Sequence, residues 1–130
     1  MLSLRRFVHA IVLLPAGLAI AADFDGSKPL LCASQQVADV TGPRSVATGM
    51  PEEMGAPSFM RIDFQKKTIS GPKRITPIRT LDRDDERMLL QGTELGMGWT
   101  LAVAAQDGKM SGSLVDEGGA IVIFGSCMPQ

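Results

Sequence analysis

From Ser58 onward, the chain consists of short apolar runs that alternate with polar positions and are separated by turn residues about ten positions apart. Alternation with a period of two is typical of β-strands, and connections this short leave no room for crossover helices. We therefore predict an all-β domain, an antiparallel up-and-down meander of about seven or eight strands that forms a closed or partly closed barrel to cover its edges. Its turns are expected near Lys66, Asp85, Gly96, Gly108 and Gly118.

Residues 1–21 have the features of a secretory signal peptide. Two arginines precede an apolar stretch, and Ala19-Ile20-Ala21 offers the small residues of a cleavage site. The apolar stretch is about a dozen residues long and contains Pro15, whereas a membrane-spanning helix needs roughly 20 residues. We therefore expect cleavage before Ala22 or Asp23, a periplasmic or secreted protein with no transmembrane segment after cleavage, and a single mature domain, residues 22–130.

Cleavage also changes the chemistry that the chain can perform. It removes the only histidine, His9, together with Arg5 and Arg6, so the formal net charge falls from −1 to −3. An acidic, exported domain is not expected to bind nucleic acid. Without an imidazole, the Ser-His-Asp and Cys-His arrangements are excluded, and no pattern pairs the carboxylates of Asp63 or Glu94 with a second acid. We expect no enzymatic activity, no metal site and no cofactor.

Cys32 and Cys127 are the only cysteines, in a chain predicted to reach an oxidising compartment. One intramolecular pairing is possible, and we predict that they form a disulfide. A redox-active or metal-binding pair would need a C-x-x-C spacing or a neighbouring histidine, and neither is present. The disulfide would tie the first strand to the last, which favours a barrel over a sandwich.

The first part of the mature chain is less clearly patterned. Residues 29–40 hold four apolar side chains around Cys32 and are compatible with a strand or a short helix. Residues 41–57 contain several glycines and prolines, which predicts a long loop with one helical turn at residues 51–54. Such a long loop in a compact domain is either functional or mobile.

Two features are candidates for binding. Trp99 lies in an alternating strand, where a lone tryptophan is either a core residue or a platform for a ligand. Residues 61–80 contain six basic residues and one acid in an otherwise acidic chain. Lys66, Lys67, Lys73, Arg74 and Arg79 are therefore a candidate face for an anionic partner, although the same residues would also suit a solvated strand face.

Six short segments carry a resemblance to a protein family: residues 24–32 (FDGSKPLLC), 59–64, 90–92, 98–99, 108–110 and 124–127 (FGSC). On these segments, the chain resembles a family of small exported proteobacterial proteins. The resemblance spans most of the mature chain. It brings no activity and no functional residues to carry over.

Three functions are compatible with these features. The first is a non-enzymatic periplasmic binding or interaction module, whose partner is an anionic envelope component or a protein. The second is an inhibitor that inserts a loop or terminus into a hydrolase, an analogy at the level of fold alone. The third is a carrier of a small apolar ligand, since small barrels can enclose a cavity. A cavity would favour the carrier, and a solid core with a protruding rigid loop would favour the inhibitor.

Overall fold

The computed structural model describes residues 23–130; the predicted signal peptide, residues 1–21, lies outside this range. Within it the chain is all-β, without a helix. The strands are β1 (Leu30–Thr41), β2 (Val46–Gly49), β3 (Phe59–Asp63), β4 (Thr68–Ser70), β5 (Ile75–Pro77), β6 (Thr80–Arg83), β7 (Arg87–Glu94), β8 (Met97–Ala104), β9 (Lys109–Asp116) and β10 (Gly119–Pro129).

The strands form one antiparallel sheet in the order β5-β4-β3-β1-β10-β9-β8-β7-β6, with β2 paired to β1 outside this path. From β3 to β10, each strand except the pair β5 and β6 is hydrogen-bonded to the next strand along the chain. The predicted meander is thereby confirmed, and the turns between its strands lie at the five predicted positions. The two-residue turn between β7 and β8 has positive φ at both Leu95 and Gly96, as a type I′ hairpin turn requires.

The two ends of the sheet meet where the chain passes from β5 to β6. The Ile78 N–H donates a hydrogen bond of 2.8 Å to the Lys67 carbonyl beside β4, and the Arg79 N–H donates one of 2.9 Å to the Gln91 carbonyl of β7. Two consecutive residues thus bond to opposite ends of the sheet. The sheet is therefore curled into a partly closed barrel, and we call the line between β5 and β7 the seam.

The 12-residue strand β1 settles the alternatives left open for the start of the domain. It pairs along its length with β10, and its other edge pairs first with β3 and then with β2. A bulge between Ser34 and Gln36 interrupts its register with β10. The first and last strands of the domain are therefore neighbours.

The segment predicted as a long loop, residues 41–57, differs from the expectation in one respect. Residues Val46–Gly49 form β2, because the far half of β1 offers unpaired backbone groups that complete a short ladder. The predicted turn at residues 51–54 is present: the Met54 N–H donates to the Met50 carbonyl at 3.2 Å, one helical turn that does not continue.

The barrel interior contains the disulfide. Cys32 and Cys127 are directly opposite one another in the β1–β10 ladder, with Cα atoms 3.9 Å apart, and both are buried. The predicted bond between the first strand and the last is confirmed. Such a bond is consistent with an oxidising compartment outside the cytoplasm.

The remaining core side chains are contributed by nearly every strand of the sheet. The largest fully buried ones are Leu30, Ile62, Met88, Leu90, Val37 and Val103. At one end of the barrel, Phe24, which precedes β1 in the chain, packs against this core. A Cβ built at Gly108 would lie 2.5 Å from the Phe24 ring, so the chain closes this end tightly. The apolar free volume inside the barrel lies at the opposite end.

Candidate ligand cavity

A cavity of about 710 Å³ lies inside the barrel at the end opposite Phe24. Its floor and walls are core side chains of the sheet, and its rim is made by residues 55–58, the β4–β5 turn and the β7–β8 hairpin. Ligand sites of globular proteins typically have volumes of about 300–1,000 Å³ and mainly apolar walls. In size and position, the cavity fits a small-molecule site in the mouth of a β-barrel.

Most of the cavity wall is apolar. Side chains from β3, β4, β8, β9 and β10 face it because alternate residues of each strand point to the barrel interior. These apolar lining residues are Met60, Ile69, Leu101, Leu114, Ile121 and Ile123. The alternating apolar residues therefore face the barrel interior, as their pattern predicts. Their side chains fill this end of the interior only in part.

Trp99 on β8 lines the cavity and is 8% exposed. It is opposite Gly92 of β7, and a Cβ built at Gly92 would lie 2.5 Å from the indole Cζ2 and 2.7 Å from Cε2. The ring thus occupies the space that a side chain at position 92 would take. Its Nε1–H is buried without a hydrogen-bond acceptor among residues 23–130. An unsatisfied buried donor is costly, and this one is covered by protein atoms and does not open onto the cavity.

Two polar contacts cross the seam beside the cavity. The Thr76 hydroxyl of β5 donates to the Thr93 carbonyl of β7 at 3.4 Å. At the rim, the Arg74 guanidinium lies 4.0 Å from the Glu94 carboxylate, with the two side chains 56% and 21% exposed. A weak ion pair and one long hydrogen bond therefore join β5 to β7 beside the cavity mouth.

The segment of residues 50–58 covers part of the mouth. Met54 and Ala56 pack against the core, while the Ser58 hydroxyl donates a hydrogen bond of 2.9 Å to the Glu52 carboxylate. The Ser34 N–H donates to the Ser58 carbonyl at 2.9 Å, which attaches the segment to the bulge in β1. The segment predicted as a long loop is thus a bound rim of the cavity.

The five basic residues predicted as one face are not brought together. Lys66 and Lys67 lie in the turn before β4, and Arg79 lies near the same end of that strand. Lys73 and Arg74 form the turn after β4, at its other end. The two turns are separated by the length of β4, roughly 10 Å for three residues. Only Lys73 and Arg74 line the cavity. The sequence does not identify Thr76 and Ser58, which share the rim with them, as site residues, since their proximity depends on how the barrel closes.

A second, more polar depression of about 500 Å³ lies at the Phe24 end, lined by residues 24–27 and 83–85. Here the Arg83 guanidinium donates to the Asp25 carbonyl. Hydrogen bonds from Ser27 lower the pKa of the Asp25 carboxyl, and hydrogen bonds from the backbone N–H groups of Glu86 and Arg87, at 2.8 and 3.0 Å, lower that of Asp84. Both groups act here as turn-stabilising carboxylates.

These lowered pKa values predict a loss of stability in acid. Since the folded pKa of Asp84 lies below the unfolded value of about 3.9, its carboxylate stabilises the fold above that pH, and this contribution is lost as the pH falls through the folded pKa. We expect the melting temperature to fall below about pH 4, and to fall less steeply in an Asp84→Asn variant. Calorimetry from pH 7 to pH 2 measures both. The control is Asp82→Asn, since the Asp82 side chain makes no hydrogen bond or ion pair among residues 23–130; equal slopes for Asp84→Asn and the wild type would contradict the assignment.

Asp63, one of the two carboxylates considered for catalysis, accepts hydrogen bonds from the Lys66 N–H at 3.0 Å and from Arg61 at 3.1 Å, and these contacts lower its pKa. The other, Glu94, faces Arg74 at the cavity rim. Each carboxylate is thus engaged by its own basic neighbour. Within residues 23–130, no three acidic, histidine or cysteine side chains are grouped to hold a metal ion, and no helix could cross a membrane.

Comparisons of the chain with protein-family models, with curated proteins and with solved structures found no match. The function is therefore argued from the cavity, its wall and its rim.

Proposed function

We propose that this protein is a non-enzymatic binding protein of the cell envelope that holds a small, mainly apolar molecule in the barrel cavity. The observation that carries the proposal is the cavity itself, about 710 Å³ in a domain of this size, with apolar side chains on most of its wall. Burying apolar ligand surface there would contribute roughly 25 cal/mol per Å² removed from water.

The position of the cavity supports binding over a purely structural role. A core that only stabilises the fold is packed with few voids larger than a water molecule. Here the barrel interior beside Phe24 is closely packed, and the apolar internal cavity lies at the other end, whose rim contains charged side chains. This asymmetry favours the carrier over the hydrolase inhibitor, which would instead need a solid core beneath a protruding loop.

Trp99 provides a direct assay, because the chain contains one tryptophan and no tyrosine. All tryptophan fluorescence then originates at the cavity wall. We expect the neutral apolar probe N-phenyl-1-naphthylamine to bind with 1:1 stoichiometry, to quench Trp99 and to receive energy from it. Native mass spectrometry of protein isolated without denaturation is the complementary measurement, since a retained small molecule would appear as an added mass.

Filling the cavity tests whether the probe binds inside it. Ile121→Phe places a larger side chain into the cavity from β10, and we expect it to weaken probe binding by about tenfold, equivalent to about 1.4 kcal/mol. The matched control is Val122→Phe, the next residue of the same strand, whose side chain points to the outer face. Equal affinities for the two folded variants would place the probe outside the barrel and contradict the proposed function.

A further inference from the structure

The charged rim and the apolar wall lie on different parts of the cavity surface. This arrangement limits the kind of ligand that would fit. Apolar side chains of β3, β9 and β10 line one part of the cavity, whereas Lys73, Arg74 and Thr76, from the β4–β5 turn and β5, line it beside the seam. A few polar groups that converge on one side of an apolar pocket fix the orientation of a ligand. A ligand that matches this arrangement has an apolar body and one polar end.

The polar end is expected to accept hydrogen bonds. Lys73 and Arg74 line the cavity rim beside the seam, and ammonium and guanidinium groups can only donate. The donors available to a ligand at this side of the cavity therefore call for oxygen atoms that accept.

The rim charges indicate the sign of that end. Of the two rim acids, Glu94 faces Arg74, and the Glu52 carboxylate is held at the residue 50–58 segment by the Ser58 hydroxyl, away from the β4–β5 turn. Lys73 makes no ion pair or side-chain hydrogen bond within residues 23–130, and Arg74 directs Nη1 to Glu94 at the long distance of 4.0 Å. Arg74 has five N–H donors in a planar fork, so it can bind a second carboxylate-like group.

We propose that the cavity binds an anionic amphiphile, with its apolar chain inside the barrel and its negatively charged, oxygen-bearing head group at Lys73 and Arg74. This inference rests on the proposed function, because it assigns the polar end of the molecule that the cavity holds. A long-chain carboxylate is the simplest member of this class. The basic residues then act as two separate pairs, and only the pair at the rim contacts the ligand.

The experiment compares probes that share one chain and differ in the head group: dodecanoate, 1-dodecanol and dodecylamine, each below its aggregation concentration, with acetate as the head group alone. Affinities are measured by Trp99 fluorescence and by displacement of N-phenyl-1-naphthylamine. We expect dodecanoate to bind about fivefold to tenfold more tightly than dodecanol at low salt. Dodecylamine should bind more weakly than either, acetate should not displace the probe, and the preference should shrink in 0.5 M NaCl because salt screens exposed charges.

A pair of matched variants locates the head group. Lys73→Gln/Arg74→Gln should remove the preference for dodecanoate while leaving the affinity for dodecanol unchanged. Lys66→Gln/Lys67→Gln makes the same change in charge in the turn before β4, and should leave both affinities unchanged. Circular dichroism confirms that both variants are folded.

The outcomes separate this inference from the proposed function. Equal binding of dodecanoate and dodecanol, tighter binding of dodecylamine, or an unchanged preference in Lys73→Gln/Arg74→Gln would overturn the anionic assignment while leaving an apolar carrier. Equal effects of the two double variants would show long-range attraction in place of contact, and would also overturn it. If N-phenyl-1-naphthylamine binds and no dodecyl probe displaces it, the anionic amphiphile is wrong and the apolar carrier stands; if neither binds, both proposals are wrong.

Discussion

Replacement of both cysteines, in a Cys32→Ala/Cys127→Ala variant, is expected to lower the free energy of unfolding by roughly 4–5 kcal/mol. The bond closes a loop of 95 positions, and a cross-link across such a loop removes much of the conformational freedom of the unfolded chain. Alanine avoids placing a new polar group in the core, since both cysteines are buried. For a domain of this size, the melting temperature should fall by roughly 15–25 °C.

Urea denaturation of the oxidised wild type, the reduced wild type and the double variant measures this effect, with intact mass reporting the thiol state. The reduced protein and the double variant should resemble each other, because both lack the cross-link. A loss below about 1 kcal/mol in both would mean that the paired β1 and β10 strands hold the barrel closed without the bond.

The second large effect is expected at Gly125. A Cβ built there would overlap the carbonyl oxygen of Ala33 on β1 and would lie 2.8 Å from the Met110 Cε. Backbone atoms of a paired strand cannot move aside as a flexible side chain can. Gly125→Ala should therefore separate β1 from β10 next to the bulge and destabilise the domain by about 3 kcal/mol.

Gly98 of β8 is the matched control for this substitution. A Cβ built at Gly98 has no heavy atom within 4 Å, and its φ is not positive. Gly98→Ala should change the stability by no more than about 0.5 kcal/mol. Thermal melting of the two variants side by side would show whether the close approach of β1 to β10 has the predicted cost, and similar values would contradict it.

The sequence predicts the sheet from β3 to β10 well, because residues such as Trp99, Leu101 and Val103 alternate with partly exposed neighbours and most of the turns between strands contain Gly or Asp. It does not predict β2. The side chains of Val46–Gly49 are largely exposed and show no buried face, so this strand exists only because β1 extends beyond β3.

The candidate site is less accessible to sequence reasoning. Alternating apolar residues such as Ile121 and Ile123 predict an interior, but the same pattern describes a filled core and a hollow one. The difference depends on side-chain volumes and on where the barrel closes, which are three-dimensional properties. The basic residues show the same difficulty, because antiparallel turns at the two ends of β4 separate Lys66 from Lys73 although they are close in the chain.

The pairing of β1 with β10 also bears on the order in which the domain can fold. The first strand of the domain to be synthesised has its longest ladder with the last, so this contact must wait until β10 has been synthesised. Contacts between residues this distant in sequence slow folding, because the intervening chain must be ordered before they form. The successive hairpins from β7 to β10 are local and can form early. The barrel then closes in a late step, when β1 pairs with β10 of the meander that has already formed.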